Sequence, residues 1–212
     1  MLIEVVFDTI CPWCYIGKRR LKAALKLRPR IEATVRWRPF LLNPGMPATG
    51  IDRTAYLISK FGSESRVRRI YGAIAEAGQS VDIDFLFERI GHTPNTVNSH
   101  RLVRFADGHG KASAAVEALF LAYFVNGHNI GETDVLVALG TRLGLDADAL
   151  GPYLTGDANV AQIHDENALA HRQGINGVPA FVFEGGYLVS GAQAPEVLVR
   201  MLDVASVAAG AA

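Results

Sequence analysis

The 212-residue chain contains two cysteines, and they stand together in Cys11-Pro12-Trp13-Cys14. Two sulfurs at this spacing can join and part. Disulfide exchange needs one thiolate that attacks and a second thiol that resolves the mixed disulfide so formed. The motif follows an apolar run, Leu2 to Phe7, and leads into a segment, Pro12 to Leu27, whose apolar residues recur at helical spacing. A helix start offers unpaired N–H groups and the positive end of the peptide dipole, both of which favour a thiolate. Pro12 suits the first helical position, where its missing N–H would have had no partner. Cys11 therefore reads as the nucleophile with its sulfur facing solvent, and Cys14, one turn on and turned inward, as the resolving thiol. No cation lies between the two, which points to a weaker oxidant than a site carrying histidine there.

Two other uses of a cysteine pair fit less well. A tetrahedral zinc would need two more soft or imidazole ligands. The six histidines, at positions 92, 100, 109, 128, 164 and 171, show no H-x-x-x-H spacing, so no metal is expected. Inert core cysteines are disfavoured by the proline and the helix start.

The elements around the motif divide the chain into three sections. Residues 1–43 read strand, helix, strand: Leu2–Phe7, Pro12–Leu27 and Thr34–Phe40. Strands joined by one helix run parallel with a right-handed crossover. Ile16, Leu21, Ala24, Leu25 and Leu27 form the packed face of that helix. Residues 44–156 open on the Asn43-Pro44-Gly45 break and carry helical periods without a convincing strand: Thr54–Lys60, Glu64–Ala77, Asn95–Gly108, Lys111–Asn126, Thr133–Leu143 and one begun by Asp146. This is the pattern of an all-helical insertion. Residues 157–212 return to mixed structure, with a helix over Asn159–Gln173 and two short apolar runs flanking Glu184-Gly185-Gly186, a hairpin signal. Ala194–Val204 reads as a closing helix, followed by a frayed Ala/Gly tail. The predicted architecture is α/β, with a discontinuous first domain (1–43 and 157–212) and a helical insertion domain (44–156).

Composition narrows the function. Lys plus Arg and Asp plus Glu number 21 each, which gives no electrostatic case for nucleic acid or an anionic membrane. No run approaches the roughly 18 uninterrupted apolar residues of a membrane span. The N-terminus lacks the basic, apolar and cleavage regions of a secretory signal, so the expected compartment is the cytoplasm.

Several stretches together resemble a known family. Asp8-x-x-Cys11-Pro12-Trp13-Cys14-Tyr15-Ile16-Gly17, Trp37-Arg38-Pro39-Phe40-Leu41-Leu42-Asn43-Pro44, Asn95-Thr96-x-x-x-His100-Arg101-Leu102, Gly177-Val178-Pro179-x-Phe181 and Ser190-Gly191-Ala192-Gln193 resemble the DsbA-like family of the thioredoxin superfamily, in its cytoplasmic FrnE-like branch. The resemblance implies a thioredoxin fold with a large helical insertion and dithiol–disulfide exchange with a disulfide-bearing protein or a small thiol. It also implies a cis peptide before Pro179, facing the cysteines, with the Val178 backbone docking an extended substrate as an added strand. Pro12 and Trp13 join them as substrate-binding candidates, and Trp13 and Tyr15 are expected at the lip of the site. No cofactor is required, glutathione is a possible co-substrate, and a homodimer is possible.

Two features depart from the pattern. Relatives place a buried acid six residues before the first cysteine, where this chain has Val5, and Glu4 points to the other strand face. Asp8 is nearer: it either stands in through a water or caps the Cys11 helix. The chain also lacks the second cysteine pair of some FrnE-like proteins. The competing reading is a glutathione-dependent isomerase or transferase, resembling kappa-class glutathione transferases and 2-hydroxychromene-2-carboxylate isomerases. Those use serine at the first cysteine position and bind glutathione at the turn matching Ser190–Gln193. Here Ser190 and Gln193 serve either glutathione or a helix cap. His100 is a candidate for the cleft above Cys11, and Arg101 reads as exposed. A non-enzymatic alternative is an interaction module regulated by the redox state of the pair.

Overall fold

Alternation along the first strand explains its nearly continuous apolar run. In the computed structural model, which describes residues 1–210, Leu2–Phe7 forms strand β1. Ile3, Val5 and Phe7 enter the larger core cluster, while Val6 enters a smaller one with Phe40, Ala170, Ile175 and Ala180. From Val5 to Phe7 both faces of the strand are covered, so successive residues meet one apolar layer or the other, while Leu2 is exposed and Glu4 half-buried.

Helix α1 (Pro12–Lys26) carries the chain to strand β2 (Thr34–Pro39), which pairs in parallel with β1 and sets Val5 opposite Trp37. Ile16, Leu21 and Ala24 are buried on α1 as predicted, but Leu27 is exposed, because the helix ends at Lys26.

The following section is helical with one exception. Ile51–Asp52 (β3) pairs antiparallel with His92–Thr93 (β4), a ladder too short to leave a period-two pattern in sequence. Around it lie α2 (Arg53–Phe61), α3 (Glu64–Gln79), α4 (Val97–Asp107), α5 (Ala112–Phe124), α6 (Thr133–Arg142) and α7 (Ala147–Thr155). Asp52, Ser63 and Asp146 cap α2, α3 and α7 by accepting first-turn backbone N–H groups.

Helix α8 (Val160–Arg172) leads to the hairpin of β5 (Ala180–Phe183) and β6 (Tyr187–Ser190). Gly185 and Gly186, at φ 86° and 83°, take the left-handed turn that a side chain would oppose. The sheet order is β2-β1-β5-β6, with β5 antiparallel to β1. Helix α9 (Pro195–Gly210) continues beyond the predicted end at Val204, with Ala205 fully buried on its inner face. Alanine is the best helix former, so an alanine-rich tail extends a docked helix instead of fraying. Residues 211 and 212 of that tail lie outside the described residues. One buried cluster joins sheet, α1 and α9 to α4, α5, α6 and α7, so the inserted helices roof the sheet and bring their residues to the start of α1.

Candidate active site

Cys11 occupies the N-cap of α1 in an extended conformation, and its carbonyl accepts the Cys14 N–H at 3.0 Å. Pro12 is the first helical residue, as predicted. The first turn of α1 carries no acidic side chain to oppose the positive helix end beside Cys11. Trp13 is 38 % exposed and stands at the lip of the site.

The Val178–Pro179 peptide is cis and lies over the cysteines, as the resemblance implied. The expectation of a solvent-facing Cys11 sulfur is corrected, since the residue is only 5 % exposed. The Val178 loop covers it, and the Val178 carbonyl accepts from the Cys11 thiol at 3.6 Å. This close approach depends on Gly17, one turn into α1. A Cβ there would lie 2.9 Å from Pro179 Cγ and 3.1 Å from Phe181 Cζ.

Cys14 is 1 % exposed and the two sulfurs are unbridged. Burial pushes the Cys14 thiol well above its ordinary range, and a hydrogen bond to Cys11 and the charge of Cys11 push the same way. The Asp8 backbone works against this, while the Asp8 charge adds to it.

Asp8 and His100, both candidates for a cleft at the site, are 0 % and 2 % exposed, which corrects the expectation that they line the cleft above Cys11. Nor does the Asp8 side chain cap α1. One oxygen accepts from Leu42 N at 2.7 Å and the other from Ile10 N at 3.4 Å. His100 Nε2 is 3.5 Å from Asp8 Oδ1, too poorly aligned to bond, and is buried without a hydrogen-bond partner among the described residues. Beside this pair, the Thr9 and Ser99 hydroxyls meet at 2.7 Å. Consecutive residues of α4 thus engage consecutive residues of the loop that delivers Cys11.

Arg101, expected on an exposed face, is 1 % exposed. Its guanidinium donates to the carbonyls of Ala158 at 2.8 Å and Leu154 at 2.9 Å, to that of Tyr153, and to Asn98 Oδ1 at 2.7 Å. It satisfies the open carbonyls at the end of α7, a role its place beside His100 did not reveal. Tyr15 is also core rather than lip. Its ring stacks on Phe120 at 4.9 Å, and its hydroxyl donates to Glu117 at 3.0 Å. Burial pushes that phenol up to about 12.

At the Ser190–Gln193 turn, Gln193 Nε2 donates to the Ser190 carbonyl at 2.8 Å, and Gly191 N donates to Pro179 O at 2.7 Å. The turn braces the Pro179 loop. Gln193 closes it on itself, while the Ser190 side chain is on an exposed residue.

One cluster near Cys11 was not foreseen. Buried Arg53 donates to Tyr123 Oη at 2.8 Å and to Tyr71 Oη at 3.0 Å. Tyr71 is raised chiefly by burial, and Cys11 is near enough to raise it further, while Arg53 lowers it. These residues come from three separate helices, so no spacing in sequence links them.

Comparisons with known proteins agree with this fold. A family described as DSBA-like thioredoxin domain matches residues 2–203. The uncharacterized protein YwbO of Bacillus subtilis is 25 % identical over 204 residues, covering 95 % of each chain. A crystal structure described as a probable DsbA oxidoreductase from Streptomyces coelicolor superposes with a TM-score of 0.89 at 28 % identity, covering 97 % of this chain and 89 % of that one. A 2-hydroxychromene-2-carboxylate isomerase superposes at 0.72 with 18 % identity over 97 % of this chain and 94 % of its own, a likeness of fold. No helix among the described residues is long and apolar enough to cross a membrane.

Proposed function

The chain belongs to the DSBA-like thioredoxin domain family, and from that premise we propose that it exchanges disulfides with a protein or small-thiol substrate through Cys11 and Cys14. The observation that carries this reading is the unequal placement of the two sulfurs. Cys11 caps a helix start beneath the Val178 carbonyl, while Cys14 is buried behind it with its thiol held protonated. A nucleophile and a resolving thiol need this difference, because a second thiolate beside Cys11 would oppose the ionisation of Cys11, whereas Cys14 has to attack only once the mixed disulfide has formed.

Cys11 thiolate attacks a substrate disulfide, forming the Cys11–substrate bond and releasing the first substrate sulfur. Cys14 then attacks Cys11, the mixed disulfide breaks, and the second substrate sulfur leaves reduced. The Val178 and Pro179 loop aligns the substrate backbone beside Cys11, with Pro12 and Trp13 forming the adjoining wall. The segments Trp37–Pro44 and Asn95–Leu102 support a place in the FrnE-like branch, and glutathione is the small thiol we favour. The isomerase likeness extends to fold, but that chemistry uses serine where this chain has Cys11.

Insulin reduction and glutathione exchange, followed in the wild type, Cys11→Ser and Cys14→Ser, test the reading. Cys11→Ser should abolish exchange and Cys14→Ser should accumulate a mixed disulfide seen as added mass. Exchange that survives Cys11→Ser would overturn it.

A further inference from the structure

The exchange steps use only the start of α1. A groove of about 690 Å³ lies against its later turns, walled also by β2 and the first turn of α5. It runs from Lys18 to Lys26, about 10 to 22 Å along the helix from Cys11. Its floor is apolar, made of Leu21, Leu25, Val35 and Trp37. Trp37 is fixed there from two sides. Its indole meets the Phe7 ring edge-on at 5.0 Å, and its Nε1 donates to Ser113 Oγ at 2.9 Å.

The rim of the groove is cationic. Lys18, Arg19, Lys22 and Lys26 of α1 border it, against a single carboxylate, Glu117 of α5. Glu117 is already engaged by Lys18, by Arg19 at 2.6 Å and by the Tyr15 hydroxyl at 3.0 Å. Lys22 and Lys26 are exposed and pair with no acid among the described residues. Lys18, Lys22 and Lys26 stand four residues apart, so like charges repel along one helix face. Lysines on a solvated helix face are ordinary, but a row of them above a concave apolar floor marks a binding surface.

The α5 wall adds donors. Ser113 and Ala114 belong to the first turn of that helix, which has neither a side-chain cap nor an acid. Ser113 Oγ accepts from Trp37 and keeps its own proton to donate. The polar side chains left free in the groove are therefore all cations or donors, and a ligand must bring the acceptor. We propose that this groove binds an organic carboxylate with an apolar body, of the size and kind of a medium-chain fatty acid.

The carboxylate takes the free donors of the rim, and the chain lies along Leu21, Leu25, Val35 and Trp37. The volume falls within the roughly 300–1,000 Å³ of small-molecule sites, where an apolar lining supplies affinity and a few polar groups fix orientation. An inorganic anion would satisfy the lysines and leave the floor in water. An uncharged chain would cover the floor and leave the lysines without a counter-charge. Only a ligand with both parts answers both features. Binding here makes and breaks no covalent bond and does not depend on the exchange chemistry at Cys11.

Trp37 reports on the groove directly, since in Trp13→Phe it is the sole tryptophan. Decanoate, kept below its micellar concentration, should change that emission saturably. Affinity should rise by up to about fourfold per methylene from hexanoate to decanoate. Decanol should bind at least about fivefold more weakly than decanoate, and decyltrimethylammonium more weakly still. Lys22→Gln combined with Lys26→Gln should weaken decanoate about three- to tenfold and leave decanol unchanged, a difference that added salt narrows. Alkylation of Cys11 with iodoacetamide should leave decanoate binding as it was. Equal affinity for decanoate and decanol, or full affinity in the double lysine variant, would overturn the proposal. So would loss of binding on alkylation, which would place the ligand at the Cys11 opening. No response to decanoate would also overturn it, whether the groove then bound a glutamate-rich decapeptide or a second copy, seen as a sedimenting dimer that the lysine variant dissociates.

Discussion

Gly17→Ala adds a single methyl group and tests whether helix α1 and the Pro179 loop form one packed unit. The added Cβ would sit 2.9 Å from Pro179 Cγ and 3.1 Å from Phe181 Cζ, so both must retreat by about half an ångström to reach ordinary contact. Neither is a free side-chain end: the Pro179 ring is part of the loop backbone, and Phe181 is fully buried in β5. Overpacking of this kind costs about 1–3 kcal/mol. Replacing glycine by alanine inside a helix returns up to about 1 kcal/mol. Because the obstacles are rigid, the net loss should be about 1–2 kcal/mol, which lowers Tm by about 2–8 °C in a chain of this size. The retreating loop also carries Val178, whose carbonyl meets Cys11 at 3.6 Å, so exchange should slow together with the loss of stability. Calorimetry and insulin reduction on the same preparation read both effects. A variant as stable as wild type with an unchanged exchange rate would show that the loop is not seated against α1 as described.

Other substitutions probe what holds the site in place. Glu117 accepts from Tyr15 and Arg19, at 3.0 Å and 2.6 Å, and from Lys18. Burial raises its carboxyl, but the hydrogen bond and charge of Lys18 and the charge of Arg19 outweigh this and hold it below its ordinary value. Lys18 points the other way, held low because burial costs its charge more than Glu117 returns. Glu117, which gathers three donors, dominates the pH dependence of this cluster. Its folded value lies below the unfolded one, so its contribution is full above about pH 4.3 and fades as pH falls through the folded value. Glu117→Gln should cost about 1–2 kcal/mol at pH 7, with the gap to wild type narrowing below about pH 4, as urea unfolding at both pH values would show. Arg101→Met should cost about 3 kcal/mol by stranding the carbonyls at the end of α7, lowering Tm by about 6–12 °C in thermal melts; a smaller loss than Glu117→Gln would contradict the bracing role.

The redox pair and its carrier elements were legible because their signals are local. A proline after the first cysteine, an apolar run before it and a helical period after it lie within thirty residues and need no partner to be read. The hairpin was equally legible from its two glycines. The roof helices were visible as periods, although the β3–β4 ladder was too short to register. Residues whose environment comes from elsewhere in the chain were misread. Arg101 and Tyr15 resemble surface and lip residues in sequence, yet one braces α7 and the other stacks in the core.

Sequence by itself determined that this chain carries one cysteine pair at a helix start, held in an α/β frame interrupted by helices. Only the tertiary structure decided how the two sulfurs differ and what lies behind them. Cys11 is covered because a loop from residue 178 folds onto Gly17, and Cys14 is buried close to Asp8, which itself lies 3.5 Å from His100 of a distant helix. Burial and charge at a site depend on which distant segments pack there, and spacing along the chain does not record that.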